Sequence, residues 1–199
     1  FIKEKLDIII DQNSPSQLGT LISPTSTLEE LYLSQKLIRG LGSNNIDCRL
    51  KQIDFSEQVS APYFPWSGQS IVDFERNQAV LLVGSHVRKD QPIINHRLRK
   101  AVTNGAAVMA INPIDYDFNF SLHCKSIVTP NNMVGELGSV LKAACKLSKK
   151  NIDASVKKLT TNLSANETHK EIADQLFNNA DTIILLGNLS TAHPQFTLL

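Results

Sequence analysis

The sequence predicts an α/β fold: a doubly wound, mostly parallel sheet with helices on both faces. Three observations lead there. Two stretches share one plan of apolar strand, glycine, polar loop and proline: Val80-Leu81-Leu82-Val83-Gly84 running on to Pro92, and Ile183-Ile184-Leu185-Leu186-Gly187 running on to Pro194. Residues 79–111 form a strand, helix, strand unit, which joins parallel neighbours through a right-handed crossover. The strands are apolar runs rather than alternating ones, as strands covered on both faces are.

Taken in order, the runs Leu6-Asp7-Ile8-Ile9-Ile10-Asp11 and Leu18-Gly19-Thr20-Leu21-Ile22-Ser23 are short, apolar and bounded by polar segments, and each predicts a buried strand. Thr27-Leu28-Glu29-Glu30 carries the capping-box pattern, so a helix starts at Thr27. Leu33, Leu37 and Leu41 give it a buried stripe that Leu31, Tyr32 and Ile38 widen, and Gly40 and Gly42 end it. Residues 44–75 turn irregular, with Pro62, Tyr63, Phe64, Pro65, Trp66 and Gly68 mixing turn formers and aromatics. A loop of that length either covers a core edge or touches a ligand.

Beyond the strand at Val80, residues 92–104 form a helix with Ile94, Leu98, Ala101 and Val102 on one face and Gly105 closing it. A strand over 106–111 turns at Asn112-Pro113, and a third short strand covers 126–129. Val134, Leu137, Leu141 and Ala144 line the next helix, which runs into the basic stretch Lys146 to Lys150. Residues 150–164 read as a linker with one weak helical turn near Ala154 to Leu159. Asn166 caps a helix through Ile172, Ala173, Leu176 and Phe177, ahead of the last strand.

Bulk properties set bounds on function. The 199 residues are 42% hydrophobic, enough for a folded globular core. Twenty basic and nineteen acidic side chains are interspersed, so there is no stripe for a nucleic-acid backbone and no polybasic membrane anchor. No apolar run approaches the roughly 20 residues of a membrane span. Phe1-Ile2-Lys3-Glu4 lacks an initiator Met and a signal-peptide pattern, and Phe196-Thr197-Leu198-Leu199 ends apolar, as a piece of a larger chain would.

Chemistry is sparse. Cys48, Cys124 and Cys145 are scattered, with no zinc spacing, and fit reduced filler. His86, His96, His123, His169 and His193 have no local carboxylate partner and read as surface or loop residues. Ser85 lacks the Gly-x-Ser-x-Gly elbow of a hydrolase nucleophile. Neither the three-glycine dinucleotide fingerprint nor the triphosphatase loop is present. Gly84 suits either a plain turn or the close approach of a phosphate at the helix start that comes next. Asp115 and Asp117 suit either a polar turn or a contact to a ribose or purine.

Two segments carry a resemblance. The run from Val80-Leu81-Leu82-Val83-Gly84-Ser85-His86 to Asn95-His96-Arg97-Leu98-Arg99-Lys100, and the run from Ser23 through Glu29-Glu30-Leu31-Tyr32 to Gly42-Ser43-Asn44-Asn45-Ile46-Asp47-Cys48-Arg49-Leu50, resemble the large iron-sulfur subunit of respiratory NADH:quinone oxidoreductase, complex I. That subunit is related to molybdopterin-dependent oxidoreductases such as formate dehydrogenase. The resemblance implies that residues 1–199 are part of one such α/β domain, built of Rossmann-type halves and truncated at both ends.

It further implies a non-catalytic piece of an electron-transfer enzyme that passes electrons from NADH toward quinone. The 4Fe-4S and 2Fe-2S clusters would lie in an N-terminal region outside this sequence, with no metal or cofactor held here. The partners would be other peripheral-arm subunits, without nucleic acid or membrane insertion, on the cytoplasmic side of a bacterial inner membrane. The pterin-binding relatives have Gly-x-Asn-Pro after the strand and Asp-Pro-Arg after the next one. Here those positions read Gly84-Ser85-His86-Val87 and Asn112-Pro113-Ile114. Asn112 offers one acceptor oxygen where Asp offers two, and Ile114 lacks the forked cation of Arg. Gly84, Ser85, His86 and Asn112 are thus the residues of a relic pocket. The alternative is a working molybdopterin domain or a free-standing nucleotide-binding module.

Overall fold

The computed structural model describes residues 1–49, 53–56, 59, 66–148 and 154–199. Pro62, Tyr63, Phe64 and Pro65 of the aromatic segment, Lys149 and Lys150 of the basic stretch, and Asn151 at the head of the expected linker lie outside the described residues. The chain forms two compact units, Phe1–Gln52 and Ile53–Leu199.

The first unit opens with helix α1, Ile2–Gln12, where the sequence predicted a strand. The isoleucine triplet suggested a run buried on two faces, but Leu6, Ile9 and Ile10 sit at helical spacing and make the half-buried side. An i,i+4 ion pair between Lys3 and Asp7, 2.8 Å long, flanks it. The second expected strand shrinks to β1, Thr20–Leu21, with Leu21 64% exposed rather than buried.

Helix α2, Leu28–Gly40, starts as expected: Thr27 Oγ1 accepts from the Glu30 amide at 3.3 Å, and Glu30 Oε2 accepts from the Thr27 amide at 2.9 Å. The expected stripe is buried only in part. Ile38 is buried, with Leu31 and Leu41 partly so, while Leu33 and Leu37 are exposed. Leucines recur on both sides of this helix, and spacing alone does not say which side finds a partner. Strand β2, Ile46–Asp47, pairs parallel to β1 and breaks the irregularity expected over 44–75.

The second unit is built on a four-stranded, wholly parallel sheet. Its strands are β3 (Ala79–Val83), β4 (Ala107–Asn112), β5 (Cys124–Ile127) and β6 (Thr182–Leu186), in the order β5-β4-β3-β6. The centre is β3 and β4, so both are buried nearly throughout, as their unbroken apolar runs demand. The edge strand β5 begins two residues before its expected start and alternates half-buried with exposed positions.

Alternation along β3 separates two cores. Leu81 and Val83, with Met109 and Ile111 of β4, face Met133, Val140 and Ala143 of α5 (Met133–Ser148) and Ile172 and Ala173 of α7 (Glu167–Asn178). Val80 and Leu82, with Val108 and Ala110, face Leu98 of α4 (Pro92–Thr103), together with Phe74, Val87 and Phe118. The short α3, Val87–Asp90, leads into α4, and Phe74 comes from a 3-10 turn, Val72–Arg76. Helices therefore cover both faces of the sheet. Of the expected stripe of α5, Leu137 and Ala144 pack against the first of these cores, Val140 and Ala143 join them, and Leu141 is 42% exposed.

Two connections depart from regular crossover helices. From β4 to β5 the chain crosses without a helix, and Phe118, 3% exposed, fills the place a helix side chain would take. The weak turn anticipated near Ala154 is a helix, α6, Ala154–Thr160. Lys142 of α5 anchors the carboxyl end of α6 and the residues after it, donating to the carbonyls of Thr160 (3.1 Å), Thr161 (3.1 Å) and Leu163 (2.7 Å). Carbonyls at a helix end otherwise lack a partner within the helix.

Candidate functional site

From β3 the chain proceeds outward to β4 and β5, then returns to the other side of β3 as β6. The order reverses between β3 and β6, and beyond their carboxyl ends lies the crevice where open α/β sheets bind ligands. Both loops at that point begin with glycine. Gly84 follows β3 with φ +55°, and Gly187 follows β6 and starts the four-residue helix α8, Asn188–Thr191.

The two loops are bound to each other. The Gly187 amide donates to the Val83 carbonyl (2.9 Å), the Leu189 amide to the Gly84 carbonyl (3.0 Å), and the Ser190 hydroxyl to the Val83 carbonyl (2.7 Å). A Cβ on Gly187 would fall 2.3 Å from Ser85 Cα, and one on Gly84 would fall 2.6 Å from the Ser190 amide nitrogen. Glycine is therefore needed at 187 for close approach of backbones, and at 84 for both approach and positive φ.

Asn112 joins the same cluster from the end of β4. Its Oδ1 accepts from the Ser85 amide (2.8 Å) and its Nδ2 donates to the Ser85 carbonyl (3.2 Å). Ser85 and Ser190 are fully buried and Asn112 is 1% exposed. Gly84, Ser85 and Asn112 thus come together as the sequence suggested, but as partners of one another. His86 stands beside them, its ring stacked on Tyr116 with centroids 4.1 Å apart and planes 6° from parallel.

The acidic residues near the crevice are engaged elsewhere. Asp115 pairs with Lys125 at 2.5 Å, and Asp117 pairs with Arg88 of α3. Asp117 also accepts from the Asn119 amide, and that bond with the Arg88 guanidinium holds its carboxyl below the usual range. The contact from Asp117 to the Asn119 amide is that of a polar turn. Ile114 is exposed.

The histidines divide. His96 is exposed on α4, and His123 lies 3.1 Å from Glu171. His169 and His193, expected at the surface or in loops, are buried with both ring nitrogens hydrogen-bonded, His193 in the loop after α8. Their sequence neighbourhoods concealed this because the partners Glu136 and the Pro130 carbonyl are remote in sequence. The one legible signal was Asn166-x-x-His169, a polar pair at capping-box spacing.

Burial, with a smaller push from Glu171, raises the Cys124 thiol to about 11. Among the described residues no group of three His, Cys, Asp or Glu side chains is placed to hold a metal, and no helix is long and apolar enough to cross a membrane. A hollow of about 390 Å³ between α5, α6 and β6 is lined by apolar residues apart from Thr160, so it lacks the convergent polar groups of a reactive site.

A parallel sheet with helices on both faces, and glycine loops meeting at the reversal point, defines the class of doubly wound α/β domains. Within that class the chain belongs to the molybdopterin oxidoreductase family, whose model matches residues 1–197. It is 30% identical over 106 residues to a probable oxidoreductase, YjgC, of Bacillus subtilis, covering 50% of this chain and 11% of that protein. Over 103 residues it is 33% identical to the F420-dependent formate dehydrogenase subunit alpha of Methanocaldococcus jannaschii, covering 49% and 15%. A subunit of the NADH-quinone oxidoreductase of Rickettsia typhi matches at 26% over 125 residues, covering 60% and 18%. The chain thus spans less than a fifth of the length of each of these relatives.

Backbone atoms of 84–85 and 187–190 fill the space between these two loops, and both polar atoms of Asn112 are spent on Ser85.

Proposed function

We propose that this chain is a structural part of the peripheral arm of a respiratory NADH:quinone oxidoreductase, within its large iron-sulfur subunit, and that Gly84, Ser85, His86 and Asn112 are a relic pocket. Both compact units are read as pieces of one molybdopterin-oxidoreductase-like domain. The observation that carries this reading is the closure of Asn112 on the Ser85 backbone, together with Ile114 where a pterin-binding relative has arginine. A carboxylate facing the guanine edge and a cation on the diphosphate are the groups a guanine dinucleotide requires, and neither stands here. The similarity to the Rickettsia typhi NADH-quinone oxidoreductase subunit supports the placement. In the full protein, the iron-sulfur clusters would carry the electrons and the other peripheral-arm subunits would be the partners.

A second reading, a working pterin domain, is favoured by the higher identity to the formate dehydrogenase alpha subunit and the probable oxidoreductase. Equilibrium dialysis against molybdopterin guanine dinucleotide, read by mass spectrometry, separates the two. No retention is expected, together with co-purification on immobilised peripheral-arm subunits. Stoichiometric retention overturns the structural reading.

A further inference from the structure

We propose that His169 is a proton-operated latch on the N-terminus of α7: a second proton on its ring opens the capping box that holds the first turn. The geometry fixes the tautomer. His169 Nδ1 accepts the Asn166 amide proton at 3.1 Å, so this nitrogen carries a lone pair and the ring proton sits on Nε2. Nε2 then donates to Glu136 Oε1 at 2.7 Å, and the same carboxylate accepts the Ser126 hydroxyl. In return, Asn166 Oδ1 accepts from the His169 amide at 2.9 Å. The ring is 5% exposed and Glu136 16%, so water replaces neither bond in the closed form.

An imidazolium has two donors and no acceptor. Protonation at Nδ1 therefore sets one N–H against another and removes the partner of the Asn166 amide. Turning the ring over does not restore it, because Glu136 already holds the other nitrogen. The usual capping-box partner at this position is Glu or Gln, whose oxygen accepts over the whole neutral range. Histidine makes the same bond conditional on pH. The latch sits where it matters, since α7 carries Ile172 and Ala173 into the core against β3.

The surrounding charges are accounted for element by element. On α5, Glu136 contacts the ring. On β5, Lys125 is paired with Asp115, and Cys124 stands beside Glu171. Strand β3 carries no titratable side chain. On α7 itself, Glu167 pairs with Lys170 and Glu171 with His123. Glu136 is the competing proton acceptor: if it takes the proton, Nε2 still donates to its carbonyl oxygen and the box stays closed.

The test uses the whole chain labelled with nitrogen-15, with imidazole nitrogen shifts and amide exchange followed from pH 8 to pH 5. After correction for intrinsic exchange, protection of the Asn166 amide should fall on the order of tenfold, the cost of one hydrogen bond, in step with the His169 titration. In His169→Gln the side-chain oxygen keeps the box, and protection should stay flat. The proposal is overturned if wild-type protection does not change, if it falls while the ring remains neutral, or if His169→Gln loses it equally. Should His169→Gln not fold, coincidence of the two wild-type curves decides the matter alone.

Discussion

Replacing Gly187 by alanine adds one methyl group at the tightest backbone contact between the β3 and β6 loops. Its Cβ would stand 2.3 Å from Ser85 Cα and 2.5 Å from the Gly84 carbonyl oxygen, both belonging to main chain with no rotamer to yield. Ordinary carbon contacts lie near 3.5–4.0 Å, so the loops must part by roughly 1 Å. That separation stretches the Gly187-to-Val83 and Leu189-to-Gly84 bonds, now 2.9 and 3.0 Å, beyond hydrogen-bonding range. Two such bonds are worth about 0.5–1.5 kcal/mol each. Overpacking adds about 1–3 kcal/mol, and the total loss is about 2–6 kcal/mol. The φ at 187 is −89°, so the penalty is steric rather than conformational.

Gly135→Ala is the matched control. Its Cβ would meet only Leu163 at 3.8 Å, and replacing helical glycine should stabilise by up to about 1 kcal/mol. Urea unfolding followed by far-UV circular dichroism reads both variants. With a slope of about 2 kcal/mol per molar, Gly187→Ala should lower the midpoint by roughly 1–3 M while Gly135→Ala leaves it level or higher. A Gly187→Ala midpoint within about 0.3 M of wild type would refute the reasoning, because the loops would then have room to spare.

Asn112→Asp should destabilise by about 2–4 kcal/mol at pH 7, since the donor to the Ser85 carbonyl is lost and a buried carboxylate faces that oxygen. The new carboxyl would have a folded pKa raised above its unfolded value, so the loss should shrink as pH falls through it; unfolding curves at pH 7 and pH 5 that show equal losses contradict this. Glu75 is held below the usual carboxylate range by its bond to Arg97, then by Lys100, so its contribution is present above the unfolded pKa and fades as pH falls through the folded one. Glu75→Gln should accordingly flatten the stability profile between pH 5 and pH 3, and an unchanged slope in urea titrations would count against the assignment. At pH 7.5 iodoacetamide should label exposed Cys48 first, with Cys124 on the order of a hundredfold slower than a free thiol through its depleted thiolate, as peptide mass mapping over time can show.

Legibility in the sequence followed the range of the interactions. The β3–α4–β4 unit was readable because its cues are local: an unbroken apolar strand, Pro92 at a helix start and Gly105 at its end. The capping box at Thr27 and the Asn166 cap were readable for the same reason. Helix α1 was misread because three consecutive isoleucines satisfy a buried strand and an amphipathic helix alike, and the stripe of α2 is narrower than expected because leucines line two sides of it. At the site, Gly84, Ser85 and Asn112 could be placed together by topology, but their mutual hydrogen bonds could not. Asn112 reaches Ser85 across 27 residues, and Ser190 reaches Val83 across 107, distances at which no residue pattern records a partner.

The pairing of β6 with β3 also has a temporal side. Val83 acquires Ser190, 107 positions further along, only after the residues between them have been made, whereas β4 reaches β3 through the short α3 and α4. Until then β3 presents an apolar edge of unmet amides and carbonyls, a template for pairing with another chain. Long-range parallel pairing is slow, so this edge should be exposed for the longest part of folding. The glycine-to-glycine junction then acts as the closing step of assembly, and crowded or rapid synthesis is where this chain would be most exposed to misassociation.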